Sequence, residues 1–291
     1  MLYPAKLLSL RKSSGQAVLL VILGMAAVLT IVLSVVSRSV TDVSVTNVEE
    51  GSSKAFSAAE AGIEKLLVGD TSSISNLDLG NNASIQSAQS LVLGEGENSF
   101  DFPDTYNSGD LATVWFVSHD DTNIQKLTCT VKPCFNGTSF SIHWNGDVAV
   151  EVSVYYDTNG ISGVIASTPN FSGVKVKRFT FDPNATRRNN NKFSATIASS
   201  QQGYSYSSGD ISLSGLTRPL FARVKFLYGS VSGFRVTTPL GGGTLPSQGR
   251  LLVSKGVANN AARQIEVRDY YRAPLGIFEA GIFSQGDLTK N

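Results

Sequence analysis

Residues Ala17 to Val36 form an unbroken run of about twenty uncharged, mainly apolar residues, AVLLVILGMAAVLTIVLSVV. A helix of that length rises about 30 Å, which is the thickness of the hydrocarbon core of a bilayer. Lys6, Arg11 and Lys12 precede the run, and no acidic residue does. The positive-inside rule therefore predicts a transmembrane helix with the basic leader in the cytoplasm and the following chain outside.

A cleavable secretory signal is an alternative explanation of the same run. Val35-Val36-Ser37 resembles the small-residue site at which such signals are cut. However, the apolar run is longer than the core of a usual signal, which has about 7–15 residues. We therefore expect the run to be retained in the mature protein.

The helix is predicted to continue beyond the apolar run. Ser37 to Val68 contains no proline, and apolar or small residues recur at steps close to three, four or seven. This stripe consists of Val40, Val43, Val48, Ala55, Phe56, Ala59, Ile63, Leu66 and Leu67, whereas Asp42, Glu49, Glu50, Lys54 and Glu60 lie largely off it. Gly69-Asp70 ends the pattern, so the helix from Gln16 to Val68 would be about 80 Å long.

The remainder of the chain has the pattern of a β-rich head. Val148 to Asp157 alternates apolar and polar residues with a period of two, and Leu220 to Tyr228 repeats the alternation. Further strands are predicted at Leu111–Val117, Val174–Phe181, Phe193–Ile197 and Val231–Thr237, with two more in Arg250–Tyr271. The pattern favours an α+β protein with an antiparallel β-sandwich at about Thr138 to Pro239, and Thr71 to Asp110 is interpreted as a variable connection.

The order of basic leader, apolar helix, amphipathic helix and β-rich head resembles that of type IV pilins and pseudopilins. The leader ends in Gly15, and Gln16 with the apolar run follows directly, which resembles a class III prepilin peptidase site. The resemblance implies cleavage between Gly15 and Gln16 on the cytoplasmic side. It also implies that the apolar segment is retained and later packs against its equivalents in a filament.

A second stretch, AFSAAEAGIEKLL, resembles the A-x-x-A-A-E-A-G pattern of PilX-type minor pilins. The residues that match are Ala55, Ala58, Ala59, Glu60, Ala61 and Gly62. The run from LLVSKG to ARQIEV near the C-terminal end is similar to the closing strands of PilX-type heads. The resemblance thus covers both ends of the chain and leaves the middle unassigned.

Two departures from the family pattern bear on the position in a filament. The expected mature N-terminus is Gln16 rather than phenylalanine, and the fifth mature residue is Leu20 rather than glutamate. In major pilins that glutamate neutralises the N-terminal amine of a neighbour. Because burying an ammonium without a partner is costly, Leu20 indicates a minor subunit, located where no subunit lies beyond it.

These patterns predict five segments. They are a prepilin leader at 1–15, a pilin-like helix at 16–70 with its transmembrane part at about 17–36, a connecting region with the first sheet strand at 71–137, a β-sandwich at 138–239 and C-terminal strands at 240–291. The expected partners are other pilin subunits, the assembly machinery, prepilin peptidase and the membrane, and the expected location is the membrane followed by the cell surface. A type II secretion pseudopilin and a membrane-anchored adhesin that does not polymerise are the alternatives.

Few residues suggest chemistry beyond assembly. Cys129 and Cys134, in C-T-V-K-P-C, are predicted to form a disulfide, with two buried thiols as the alternative. His119 and His143 do not have metal-ligand spacing and are interpreted as structural or surface residues. No phosphate loop, nucleophile elbow or dinucleotide turn is present, and Gly241 to Gly243 suits a flexible turn, so we expect no cofactor and no enzyme activity. A surface hydrolase with scattered catalytic residues is the remaining enzyme hypothesis.

Weaker binding candidates lie in the head, each with a simpler explanation. The chain has 24 Lys and Arg against 23 Asp and Glu, so no overall basic field would attract nucleic acid. Candidate calcium ligands are Asp120, Asp121 and Asn123, or Asp157 and Asn159; the simpler explanation is that they are polar turn residues. A candidate contact for phosphate or sugar is formed by Arg187, Arg188 and Lys192 around Asn189 to Asn191; the simpler explanation is a solvated hairpin end. Candidate carbohydrate-stacking residues are Trp144, Tyr155, Tyr156, Tyr204 and Tyr206, which are otherwise core or cross-strand residues.

Overall fold

The computed structural model describes residues 14–68, 71–120, 127–130, 132–158 and 173–273. Its first element is the helix α1, which runs without interruption over Ser14–Val68, 55 residues. The predicted C-terminal end of the helix at Val68 is confirmed. Because the segment contains no proline, every turn keeps its backbone hydrogen bonds. The most apolar window of α1 has a mean hydropathy of 2.9 and none of it is buried, so the helix has the length and composition needed to cross a membrane.

Strands dominate the described residues after α1. In chain order they are β1 (Ser73–Gly80), β2 (Ala83–Leu93), β3 (Ser99–Tyr106), β4 (Leu111–Trp115), β5 (Ser118–His119), β6 (Leu127–Thr128), β7 (Ser139–Trp144), β8 (Ala149–Asp157), β9 (Val174–Asp182), the short helix α2 (Ala185–Asn191), β10 (Ser194–Ala195), β11 (Ile197–Ala198), β12 (Tyr206–Ser207), β13 (Ile211–Ser212), β14 (Pro219–Leu227), β15 (Val231–Thr237), β16 (Gly249–Ala258) and β17 (Ala261–Tyr270). A long apolar helix followed by a largely antiparallel β-rich region confirms the predicted α+β class.

The chain divides into two compact units. The first contains Met1–Glu64, Ile74–Ser87 and Ser254–Ile265, and we call it the helix unit. Parts of β1, β2, β16 and β17 lie in this unit, and these strands pair in that order in a four-stranded sheet. Asn81 and Asn82, in the turn between β1 and β2, both have positive φ, as two-residue hairpin turns with the twist of the strands require.

The second unit contains Lys65–Ser73, Ala88–Val253 and Glu266–Asn291, and we call it the two-sheet unit. Its larger sheets have the orders β10-β9-β8-β14-β4 and β11-β12-β7-β15-β3, with β13 also paired to β7. The central pairs are antiparallel, with Val152 opposite Val224 in one sheet and Phe234 opposite Trp144 in the other, whereas β10 pairs with β9 in parallel.

Side chains from both of these sheets form one hydrophobic cluster. The five-stranded sheet contributes residues that include Val114, Val150, Val152, Val154, Ala222, Val224 and Phe226, and the six-stranded sheet contributes Phe102, Phe140, Ile142, Trp144, Phe234 and Val236. Phe102 and Phe234 stack with ring centroids 4.6 Å apart. The buried Trp144 indole donates to the Val148 carbonyl oxygen at 2.9 Å. Each such fully buried side chain stabilises the fold by roughly 1.5–3 kcal/mol relative to exposure, which makes this cluster the main source of stability in the unit.

Three details of the predicted organisation are corrected. Thr71 to Asp110 is not a connection, because it contains β1, β2 and β3. Its Gly and Asn residues lie partly in the turns that join these strands, where such residues are favoured, rather than in one long loop. The strand predicted at Phe193–Ile197 is divided into β10 and β11, which pair with different strands. The two larger sheets also include β3 and β4, so they begin earlier in the chain than residue 138.

Candidate functional site

The predicted cleavage residues lie at the beginning of α1. Gly15 and Gln16 are in its first turn, and the rest of the predicted leader, residues 1–13, lies outside the described residues. Leu20 lies one turn further along and is 65% exposed. The predicted cleavage residues are therefore continuous with α1, and the large apolar side chains of the turns that follow them are exposed.

The apolar half of α1 presents large hydrophobic side chains on all sides. They are Val18, Leu19, Leu20, Val21, Ile22, Leu23, Met25, Val28, Leu29, Ile31, Val32, Leu33, Val35 and Val36, and each is more than half exposed. Val40, Val43, Val45 and Val48 continue this exposed surface beyond the predicted membrane segment. Since water is an unfavourable solvent for a surface of this kind, it requires lipid or other protein around it.

Small residues of the AFSAAEAGIEKLL stretch form the contact between α1 and β16. Ala55, Ala58, Ala59 and Gly62 are buried, whereas Glu60 points to solvent. The predicted apolar stripe is thus divided, because Ala59 and Ile63 are buried but Phe56 remains exposed. A stripe of small residues on one helical face is what close approach of a strand requires.

Gly256 in β16 completes this contact. A Cβ atom at Gly256 would overlap the Ala55 carbonyl oxygen and the Ala59 amide nitrogen, and it would lie 2.9 Å from Ala58 Cβ. The strand backbone therefore touches the helix backbone directly. Gly256 belongs to the LLVSKG run, and the resemblance assigns it no role, although an isolated glycine in a strand is a known signal of close backbone approach.

A groove runs along α1 next to the β16–β17 turn, within the helix unit. It has a volume of about 770 Å³, and its helix side includes Val40, Val43 and Val48 together with the polar residues Ser44, Asn47, Glu50 and Ser52. From β17, the Arg263 guanidinium donates to Ser52 Oγ of α1 at 2.9 and 2.6 Å. The groove therefore has a mixed apolar and polar lining.

The outer face of the six-stranded sheet carries a polar cluster. The Arg235 guanidinium donates to both carboxylate oxygens of Asp101 at 2.7 Å, and the Tyr204 hydroxyl donates to Asp101 at 2.9 Å. The hydrogen bonds from Arg235 hold the pKa of Asp101 below its usual value, and burial together with Asp101 raises the pKa of Tyr204 to about 12. Gln201 Oε1 accepts from Arg235 at 3.3 Å, so the loop before β12 is tied to this sheet.

His143 lies beside this cluster on β7 and is buried. Its two ring nitrogens are each 2.9 Å from a hydroxyl, that of Ser199 and that of Thr237. Burial, and secondarily the charge of Arg235, lowers the pKa of His143 to about 4. The imidazole is therefore neutral at physiological pH, as expected for a structural histidine.

A second groove, of about 430 Å³, opens over the same face, and we call it the hydroxyl groove. Its lining includes Ser141, His143, Ser200, Gln201, Ser207, Asp210, Thr237 and Thr238, with the aliphatic residues Ile197 and Leu240. Ser141 Oγ donates to Asp210 Oδ1 at 2.9 Å. The sequence contains no motif that would have brought these residues together, because they come from four separate segments of the chain.

The basic tip predicted around Arg187 is not a solvated hairpin end. Asn184 caps α2 by accepting from the amides of Thr186 and Arg187 at 3.1 Å. The Arg187 guanidinium donates to the fully buried Asp182 at 2.8 and 3.0 Å and to Asp147 at 2.9 and 3.1 Å. Two carboxylates therefore already bind the guanidinium that was a candidate for contact with phosphate. The hydrogen bonds from Arg187 lower the pKa of Asp147.

The aromatic candidates are mostly packing residues. Trp144 belongs to the main cluster, Tyr206 packs against that cluster, and Tyr155 stacks on Phe221 with centroids 4.6 Å apart. Tyr204 participates in the polar cluster of Asp101, and Tyr156 is half-buried on β8. These five residues do not form one flat stacking surface.

Cys129 and Cys134 form a disulfide, with Cα atoms 5.1 Å apart. Both pack against a second hydrophobic cluster, which contains Trp115 and Phe221. His119 is buried nearby, stacked on Tyr271 with centroids 3.8 Å apart, and burial lowers its pKa to about 4.

The proposed calcium ligands are only partly within the described residues. Asp121, Asn123 and Asn159 lie outside them, Asp120 is half-buried and Asp157 is buried. Across residues 14–68, 71–120, 127–130, 132–158 and 173–273, no group of three or more His, Cys, Asp or Glu side chains is placed to hold a metal ion.

Comparison with known proteins adds no relative: no protein-family model, no curated protein and no solved structure matches this chain. Any assignment of function therefore depends on the residues themselves.

Proposed function

We propose that this protein is a type IV pilin-like minor subunit, which is cut by prepilin peptidase and built into a pilus or related filament through α1. The observation that carries the proposal is one helix of 55 residues with two different surfaces. Its first half is apolar on all sides and uncovered, whereas its second half is docked on a sheet through Ala55, Ala58 and Ala59. The basic leader and the Gly15-Gln16 pair at the start of the helix support processing at that point.

The uncovered apolar surface of α1 needs surroundings other than water at every stage. An apolar helix of about twenty residues is stable in the hydrocarbon core of a bilayer before assembly. In a filament without lipid, equivalent helices from sibling subunits provide the same apolar surroundings. A single segment thus serves first as membrane anchor and then as packing helix, and the two-sheet unit is displayed on the exterior.

A position at the tip is the finer part of this proposal. Leu20 offers no carboxylate to the amine of a neighbouring chain, and a buried ammonium without a counter-charge is unfavourable. A subunit of this kind is compatible with the end of a filament and disfavoured within a repeating stack. The same feature favours a type II secretion pseudopilin as the second candidate.

For the two-sheet unit, we propose a β-sandwich formed by the five- and six-stranded sheets. Support comes from the cluster shared by both sheets, in which Val150 and Val224 of one sheet belong with Phe140 and Phe234 of the other. The sandwich would include β3 and β4 as well as the strands within the predicted range 138–239. It would be the exposed part of the subunit on the cell surface.

The mature N-terminus tests the assembly proposal. We expect co-expression with a prepilin peptidase to yield protein that begins at Gln16, as measured by intact-mass and N-terminal peptide mass spectrometry. Gly15→Val should block cleavage, whereas Ser14→Ala, one residue away, should leave it unchanged. Protein that retains Met1 would instead support a simple membrane-anchored adhesin, and protein that begins after Ser37 would refute retention of α1.

The position in the filament is tested separately. Immunogold labelling of purified filaments should place the protein at one end, and Leu20→Glu should allow it to appear along the shaft. Labelling distributed along the shaft with Leu20 in place would contradict the tip assignment without affecting the cleavage result.

A further inference from the structure

The lining of the hydroxyl groove is mostly uncharged. Its floor is formed by the uncharged side chains of Ser141, His143 and Thr237. The nearby Arg235 is neutralised by Asp101 through two hydrogen bonds. Asp210 is therefore the one uncompensated charge among the described lining residues, and it disfavours phosphates and other anions.

Several polar groups around the opening retain hydrogen-bonding capacity. Within the described part of the chain, the Asp210 carboxylate is bonded only by Ser141, through Oδ1, which leaves Oδ2 as an acceptor. The Gln201 side chain uses its carbonyl oxygen for Arg235, so its amide group remains a donor. Ser200 adds an exposed hydroxyl, and Ser207 Oγ accepts from Gly209 and keeps its own proton to donate. The groove thus presents donors and acceptors together.

The rim is apolar. Ile197 is 57% exposed and Leu240 is 95% exposed, although both line the groove. Exposed aliphatic groups beside a hydroxyl-rich floor suit a ligand with one C–H face and a ring of hydroxyl groups. The volume of about 430 Å³ lies in the usual range of small-molecule sites.

We propose that the hydroxyl groove is a binding site for a neutral glycan, with Asp210 and the Gln201 amide as the groups that hydrogen-bond sugar hydroxyls. The ligand class follows from the lining: uncharged donors and acceptors, one carboxylate acceptor and an aliphatic rim. This assignment goes beyond filament assembly and does not depend on it. A short peptide is the competing occupant, and the experiment distinguishes the two.

The test uses the full chain in micelles of a sugar-free detergent, because sugar-based detergents would compete for the groove. The probes are methyl α-D-mannopyranoside, methyl β-D-galactopyranoside and methyl β-D-glucopyranoside, with methyl phosphate, whose methyl protons report binding, and acetyl-tetra-alanine amide as comparators. Saturation-transfer NMR should detect binding of at least one glycoside and of neither comparator.

Two variants with matched controls locate the site. Ser200→Trp should obstruct the opening from an exposed position and abolish the signal, whereas Ser214→Trp, at another exposed serine, should not. Asp210→Asn should weaken binding about tenfold, whereas Glu97→Gln, at an exposed carboxylate outside the groove, should leave it unchanged. Thermal melts of all four variants show whether each is folded. If Ser200→Trp is not folded, Asp210→Asn and its control Glu97→Gln provide the test.

Three results would overturn the proposal. They are the absence of saturation transfer to every glycoside, glycoside binding that persists unchanged in both Ser200→Trp and Asp210→Asn, and preferential binding of the peptide. A failure of this kind leaves the N-terminal cleavage result untouched, so the glycan site and the assembly proposal are judged separately.

Discussion

The helix unit and the two-sheet unit bury residues of very different size. In the helix unit, Ala55, Ala58 and Ala59 meet a strand at Gly256, and backbone lies against backbone. In the two-sheet unit, a cluster rich in Phe and Trp is enclosed by two sheets. Both contacts exclude water, but by different means.

The difference shows which substitutions each region tolerates. A contact between small residues contains little apolar area to lose, so truncation costs little and enlargement is severe. A cluster of aromatic residues behaves in the opposite way, because removing a ring leaves a cavity. The contact between α1 and β16 therefore depends on steric fit, whereas the two-sheet unit is stabilised by the apolar area that it buries.

The largest expected effect is the removal of an aromatic ring from the two-sheet unit. Phe234 is fully buried and stacks on Phe102, so Phe234→Ala should reduce the free energy of unfolding by about 4 kcal/mol. Urea denaturation followed by tryptophan fluorescence measures this, because Trp115 and Trp144 both lie in this unit. The same substitution at the exposed Phe56 of α1 should change the free energy by less than about 0.5 kcal/mol. Equal effects at the two positions would contradict the comparison.

The next largest effect is the enlargement of a glycine in the helix unit. Gly256→Ala should destabilise the contact with α1 by about 3 kcal/mol, since the added methyl group overlaps helix backbone. Hydrogen exchange of residues 50–64 and 254–265 measures the loss. Gly51→Ala is the matched control, because its Cβ would be 3.5 Å from the nearest atom, the Ala258 carbonyl oxygen, and alanine favours the helix by up to about 1 kcal/mol. Faster exchange in the Gly51 variant than in the Gly256 variant would refute steric docking.

The smallest expected effect per side chain is a pH dependence of the two-sheet unit, which contains both histidines of the chain. Burial lowers the pKa values of His119 and His143 to about 4, below the value of about 6.5 in an unfolded chain. Between these two values the unfolded state binds more protons, so the stabilisation is complete above pH ~6.5 and is lost as the pH falls towards 4. At pH 5 each histidine should cost about 2 kcal/mol relative to pH 7.5.

Urea denaturation at the two pH values measures this loss. His119→Phe, which preserves the stack on Tyr271, and His143→Gln, which preserves hydrogen bonding, should each reduce the pH dependence by about half. A loss of stability at pH 5 that is unchanged in the double variant would show that other groups are responsible.

Local patterns were sufficient to predict the main elements. The absence of proline and the spacing of apolar residues predicted the helix to Val68, and the alternation in Val148–Asp157 and Leu220–Tyr228 predicted strands close to β8 and β14. Residues 71–110 were misinterpreted as a connection, because strands rich in Ser, Asn and Asp and joined by Asn and Gly turns show little apolar periodicity. The basic tip was misinterpreted for a different reason, since the partners of Arg187 include Asp147, which is 40 residues away.

What the sequence determined by itself is the apolar segment, its basic leader, the extent of α1 and the alternating strands of the head. These features depend on residues that are neighbours in the chain, so their periodicity is visible without a structure. The tertiary structure decided which small residues meet, as at Ala55 and Gly256, and which polar residues line the hydroxyl groove, as with Ser141 and Asp210, which are 69 positions apart. Such contacts are set by how strands pair and sheets pack, and a local pattern carries no record of a partner so distant along the chain.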